Sequence, residues 1–190
     1  MSAARLRLAV VLGSTREGRL CPTIASWFVA QARQAGAFEV DVVDPAGLDI
    51  PVALSPQPPA QVQALGARLE AADAFVIVTP EYNHSFPASL KSLIDWHYVQ
   101  WRAKPVGFVS YGGLAGGLRA VEQLRLVFAE LHATTIRDTV SFHSAADLFD
   151  DAGEPREPTG CTAAAKVMLD QLGWWGRALQ QARQEHPYRC

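Results

Sequence analysis

Residues 74–94 read AFVIVTPEYNHSFPASLKSLI. The apolar run at 74–79 is stopped by Pro80 and is too short for a helix of ordinary length, which predicts a buried strand. Beyond a turn, Leu90, Leu93, Ile94 and His97 recur at i, i+3, i+4, the period of one helix face. Outward from this stretch the same unit repeats. Leu6–Leu12, Phe38–Val43 and residues 106–110 and 134–140 predict four more strands. Ile24, Trp27, Phe28 and Ala32 mark one further helix, and Ala60–Ala71 a weaker one. Leu118, Val121, Leu124, Phe128 and Leu131 mark another, and Met168, Leu172, Trp175 and Leu179 the last. Five short apolar strands alternating with five helices imply crossover connections, hence an α/β fold with a doubly wound parallel sheet covered on both faces.

Composition agrees with one globular domain. The 190 residues are 49% hydrophobic and 19% charged, with a formal charge of −2. A chain of this size buries about 70% of its unfolded surface, so folding needs no disulfide or metal. The mixed charge offers no global field for nucleic acid. No apolar stretch approaches the roughly 18 residues of a membrane span. The opening Met-Ser-Ala-Ala-Arg has no signal-peptide core, which predicts a cytoplasmic protein. Cys21, Cys161 and Cys190 are three, widely spaced and without metal-ligand grouping, so neither a disulfide framework nor a metal centre is expected. Residues 44–59, with five of the twelve prolines, and the polar residues 144–160 read as surface loops, the kind that pack against a partner subunit.

In such sheets ligands bind at the carboxyl ends of the strands where the winding reverses. After the first strand comes Gly13-Ser14-Thr15-Arg16-Glu17-Gly18-Arg19-Leu20-Cys21-Pro22-Thr23. Backbone N–H groups at the start of a helix, the hydroxyls of Ser14, Thr15 and Thr23, and the Arg16 fork suit an anion. Gly13 and Gly18 have P-loop spacing, but Arg19 and Leu20 stand where Lys and Ser/Thr are required, and Gly-x-Gly-x-x-Gly is absent. A monophosphate is expected, against the alternative of a merely solvated turn.

The third strand runs into Pro80-Glu81-Tyr82-Asn83-His84-Ser85-Phe86-Pro87, the fourth into Ser110-Tyr111-Gly112-Gly113-Leu114-Ala115-Gly116-Gly117. Paired glycines let a planar ligand approach backbone donors, and Tyr82 and Tyr111 supply walls. Phosphate at one loop and a ring across two others describe a mononucleotide. Ser85, His84 and Glu81 also crowd one loop, yet no Gly-x-Ser-x-Gly elbow exists, which disfavours a hydrolase.

The stretches GSTREGR, TPEYNHSFPASLKSLIDW and KPVGFVSYGGLAGGLRAVEQLRLVFAEL resemble the NADPH-dependent FMN reductase family, and LFDDAG and the Trp174-Trp175 pair fit its C-terminal helix. The resemblance implies a flavodoxin-like three-layer sandwich with strand order 2-1-3-4-5. It further implies FMN held in a homodimer or homotetramer, and NADPH or NADH as electron donor to a flavin, quinone or similar small acceptor. By position, Ser14, Arg16, Cys21, Pro22, Thr23 and Ile24 would hold the phosphate. Pro80, Glu81, Tyr82, Asn83, Ser110, Tyr111, Gly112 and Gly113 would hold the isoalloxazine. No residue is assigned a catalytic role, because the flavin carries the chemistry. Leu20-Cys21-Pro22 lacks the serine or asparagine that many members place there. An FMN-binding electron carrier without nicotinamide turnover is the alternative, and the near-neutral charge and Arg16 favour the reductase. A helix over residues 93–101 with apolar or aromatic residues around most of its girth predicts a subunit contact through Trp96, Tyr98 and Trp101.

Overall fold

The computed structural model describes residues 4–189, so Cys190 and Met1 to Ala3 lie outside the described residues. Six strands, β1 (Leu6–Leu12), β2 (Phe38–Val43), β3 (Ala74–Pro80), β4 (Pro105–Tyr111), β5 (Thr134–Thr135) and β6 (Val140–Phe142), form one sheet. Its order is β2-β1-β3-β4-β5, β6 also pairs with β4, and every pairing is parallel. Helices α1 (Cys21–Gln34) and α5 (Pro158–Glu185) cover one face. Helices α2 (Ala60–Ala71), α3 (Ala88–Asp95) and α4 (Leu118–Glu130) cover the other.

Strand alternation explains the two cores. Leu8, Val10 and Leu12 point into one cluster with Ile24, Phe28 and Met168, whereas Ala9 and Val11 enter the other with Leu69, Leu93 and Phe128. Because both faces are covered, β3 and β4 are buried along their whole length, and only the edge strand β2 is largely open to solvent.

Three expectations need correction. Residues 148–153, LFDDAG, lie in the turns before α5, and only the Trp174-Trp175 pair lies within that helix. The strand expected over 134–140 is divided. The Arg125 guanidinium takes the carbonyls of Ile136 and Arg137, and Asp138 exchanges two hydrogen bonds with the Gln171 side chain. Side chains from α4 and α5 thus satisfy backbone groups that would otherwise pair with β4.

The helix expected to run on to Trp101 stops at Asp95. The His97 ring sits in the interior between the carbonyls of Leu93 and Val62, at 2.7 and 3.0 Å. A short 3₁₀ turn over Val99–Trp101 then drives the Trp101 indole between Phe75 and Phe128, with ring centroids 4.5 and 5.3 Å away and 0% exposure. Trp101 is therefore a core residue and no part of a subunit contact. Trp96 is tied to its own chain through the Pro51 carbonyl, while Tyr98 stays exposed. No described helix is long and apolar enough to cross a membrane.

Candidate functional site

β1 ends against β3, where the Gly13 N–H donates to the Val78 carbonyl at 2.8 Å. A Cβ at Gly13 would stand 3.1 Å from that oxygen and from Thr79 Oγ1, a tight fit in which the neighbours would have to give by a few tenths of an ångström. Ser14 follows, 1% exposed, its hydroxyl 2.9 Å from the Tyr82 hydroxyl. Residues 15–18 are exposed.

Arg19 turns back onto Asp44 with two hydrogen bonds of 2.8 and 2.6 Å and also donates to the Ser14 carbonyl. The hydrogen bond from Arg19 holds the Asp44 carboxyl below the usual carboxylate range, and the same bond raises the Arg19 guanidinium. Arg19 is thereby neutralised within the protein. Arg16 has no ion-pair partner among the described residues. The first turn of α1 has no side-chain cap and no acidic residue, leaving its N–H groups and dipole to an anion.

The loop after β3 is built to stay put. Tyr82 and Ser85 exchange backbone hydrogen bonds of 2.8 and 3.0 Å across Asn83 and His84, both in the left-handed region. The Gln123 side chain, from α4, donates to the His84 carbonyl at 2.7 Å and accepts from the Ser85 hydroxyl. The Glu81 carboxylate is nearly buried, pairs with the Arg119 guanidinium at 2.5 Å and accepts from the Arg119 backbone N–H at 3.3 Å. It therefore caps α4, whose own N-cap is Gly117 and has no side chain to offer.

After β4, Ser110 and Ser141 both donate to the Gly116 carbonyl at 2.8 Å. Gly117, at φ +83°, is packed so that a Cβ would lie 2.7 Å from Ser110 Cβ and 2.8 Å from the Tyr111 nitrogen. The turn after β6 is stitched alongside by Ser144 and Ala145 N–H groups donating to Gly113 and Gly112.

These loops enclose a cleft of about 670 Å³ at the carboxyl edge of the sheet, a size suited to a nucleotide. Of the residues expected to hold the phosphate, Ser14 and Arg16 line it. Of those expected at the ring, Pro80, Glu81, Tyr82, Tyr111, Gly112 and Gly113 line it. Gly113 presents bare backbone to open space, with nothing within 4 Å of where a Cβ would point.

The Cys21 and Ile24 side chains are instead fully buried in the core, Pro22 and Thr23 lie at the first turn of α1, Ser110 is buried beneath its loop, and Asn83 is exposed at the tip of its turn. The Cys21 thiol points at the Val78 carbonyl and burial pushes its pKa up, which makes it a poor nucleophile. Burial also drives the Tyr111 phenol far above its ordinary value, so it stays a neutral hydrogen-bonding group beside Cys21 and Ser14.

Sequence reasoning missed Ser144, Ala145, Ala146 and Asp147, which line the cleft from the turn after β6. In the sequence they belong to the polar stretch 144–160 that reads as a surface loop, and the turn is placed at the cleft only by its backbone bonds to Gly112 and Gly113. A hydrolase finds no support. Glu81 pairs with Arg119 and the Ser85 hydroxyl with Gln123, and among the described residues neither side chain hydrogen-bonds to the His84 ring.

Comparison with known proteins agrees with this geometry. An NAD(P)H-dependent FMN reductase of Schizosaccharomyces pombe is 38% identical over 122 residues, which is 58% of this chain and 60% of that protein. A quinone reductase of Escherichia coli is 35% identical over 139 residues, 68% of this chain and 72% of that protein. Among solved structures, FerB, a flavoenzyme NAD(P)H:(acceptor) oxidoreductase from Paracoccus denitrificans, shares the fold with a TM-score of 0.75 at 22% identity, covering 91% of this chain and 98% of that one. A flavodoxin from Pseudomonas aeruginosa aligns with a TM-score of 0.58 at 18% identity, over 90% and 99% of the two chains. The family model described as NADPH-dependent FMN reductase matches residues 6–147, from the first residue of β1 to the last residue lining the cleft, and the chain belongs to that family.

Proposed function

We infer that the protein is an FMN-dependent NAD(P)H oxidoreductase reducing flavin, quinone or similar electron-poor acceptors by two-electron transfer. The observation that carries this reading is the cleft itself. One loop offers an unpaired guanidinium and an uncapped helix start, and the facing loops offer rigid aromatic and glycine edges. Bound FMN supplies the hydride chemistry, and the protein supplies position and electrostatics.

Arg16, Ser14 and the first turn of α1 would receive the phosphate. Pro80, Tyr82, Tyr111, Gly112 and Gly113 would border the ring, with Glu81 fixing their mutual position through Arg119. The whole chain acts as a single flavodoxin-like domain, in the cytoplasm, and as a homo-oligomer. Support for the oligomer comes from Leu118 and Leu126, exposed on α4, and from Leu114 just before that helix, 93% exposed.

The test is anaerobic mixing of the flavin-loaded protein with NADPH or NADH. Bleaching of the yellow flavin within seconds, reversed by a quinone, is expected. A flavin left oxidised by both donors would make the protein a carrier. Light scattering is expected to give a mass of two or four chains.

A further inference from the structure

We propose that Tyr82 is a phosphate-positioning residue, acting through Ser14 to make the protein prefer a phosphorylated flavin over its unphosphorylated form. The inference rests on the FMN reading above and concerns an atom that reading leaves without a task, the Tyr82 hydroxyl. Its ring borders the cleft, but its oxygen lies 2.9 Å from Ser14 Oγ, in the loop that faces the anion.

Neither partner is free to drift. Gly13, next to Ser14, is pinned to β3 at 2.8 Å, and Ser14 is 1% exposed. Tyr82 is fixed by its backbone exchange with Ser85 and by the grip of Gln123 on that turn. The contact therefore joins two positioned loops.

Hydrogen counting gives the contact a direction. A serine hydroxyl has one proton to donate and two lone pairs, and a tyrosine hydroxyl likewise has one proton. Without an anion either group can donate to the other. A phosphate monoester dianion only accepts. Once Ser14 donates to it, Ser14 Oγ can only accept from its other neighbours, the Tyr82 hydroxyl at 2.9 Å, the more distant Arg16 N–H at 3.4 Å and the Tyr111 hydroxyl beside it. Tyr82 then donates to Ser14, and Ser14 donates to the phosphate. Hydrogen bonds in such a chain polarise one another, so Tyr82 strengthens the serine as a donor. A flavin without phosphate imposes no such order and gains nothing from the Tyr82 hydroxyl.

The experiment compares FMN with riboflavin, read as dissociation constants from flavin fluorescence on flavin-free wild type, Tyr82→Phe, Ser14→Ala and the double variant. Tyr82→Phe keeps the ring wall and should weaken FMN roughly threefold to tenfold while changing riboflavin less than twofold. Ser14→Ala should weaken FMN roughly tenfold to a hundredfold. In the Ser14→Ala background, Tyr82→Phe should have no further effect on FMN. Should Ser14→Ala fold poorly in urea titrations, Ser14→Cys, a weaker donor of similar size, serves the same cycle. Equal losses for FMN and riboflavin in Tyr82→Phe, or an undiminished effect once Ser14 is gone, would overturn the proposal. Failure of the wild type to bind either flavin would overturn the FMN reading, and the proposal with it.

Discussion

Residues 15–18, after β1, are exposed, and among the described residues their side chains make no hydrogen bond or ion pair. Residues 80–85 and 110–117, across the same cleft, are cross-linked by Glu81 to Arg119, Gln123 to His84 and Ser85, and Ser110 and Ser141 to Gly116. The two regions divide the work of binding a nucleotide. A ring gains little per contact and is best met by an edge ordered beforehand, because ordering a loop at binding subtracts from affinity. A phosphate makes strong charge-assisted bonds, so a loop with spare donors can await it. Charge for the phosphate thus comes from the exposed loop, with Tyr82 reaching across to Ser14 at its base, and the fold is most sensitive to substitution on the cross-linked side.

The largest expected effect breaks the cross-linked side. Gly117→Val places a branched side chain at φ +83° and within 2.8 Å of the Tyr111 backbone. Left-handed backbone costs about 1–2 kcal/mol outside glycine and overpacking about 1–3 more. A loss of roughly 3 kcal/mol or more in urea unfolding, with the flavin colour gone, is expected. Gly113→Val is the matched control, since its Cβ meets nothing within 4 Å of the protein. It should unfold within about 0.5 kcal/mol of the wild type, as an exposed substitution does, yet purify without colour. A Gly113→Val protein retaining one flavin per chain would show that this loop lies away from the ring.

Next in size is the exposed side. Arg16→Ala should weaken FMN by about 2–3 kcal/mol, the range for a hydrogen bond to a charged group, with riboflavin and folding stability hardly changed. Equal weakening of both flavins in isothermal titration would remove Arg16 from the phosphate. Arg19→Ala should instead lower stability and act on FMN only through the loop, because its guanidinium is already held by Asp44 and the Ser14 carbonyl.

That contrast between two arginines three residues apart marks where sequence reading ends. Strands such as Leu6–Leu12 and helix faces such as Leu90, Leu93 and Ile94 were legible because their signal is local and periodic. So were the three loops that hold most of the candidate site, through glycine, proline and hydroxyl clusters directly after apolar runs. Arg16 stands out by its place in the loop, but that Arg19 is held back was not legible, since it depends on Asp44, 25 positions from Arg19 along the chain. Trp101 misled for a related reason. Continuing the helical period past Asp95 put it on a surplus face, but the chain turns after Asp95, the His97 ring sits between the Leu93 and Val62 carbonyls, and the indole is buried. Residues 144–147 join the cleft because the Ser144 and Ala145 N–H groups donate to the Gly113 and Gly112 carbonyls, a pairing between distant segments that no local pattern shows.

The smallest expected effect sharpens the comparison by titrating the ion pair that ties Arg19, at the end of the exposed loop, to Asp44. Hydrogen bonding from Arg19 lowers the folded pKa of Asp44 below its unfolded value. Its contribution is therefore fully present above the ordinary carboxylate range and is lost as pH falls through the lowered folded value. With the Asp44 side chain 39% exposed, solvent screening holds this contribution to about 1 kcal/mol or less. Urea unfolding of wild type and Asp44→Asn should differ by that amount near neutral pH and converge under acid conditions. Arg19 stays charged throughout, so once Asp44 is protonated it becomes a second free cation beside Arg16. Inorganic phosphate should then bind the flavin-free Asp44→Asn protein more tightly than the wild type at neutral pH, and a preference equal to the wild type's would show that Asp44 does not hold Arg19 back from the anion.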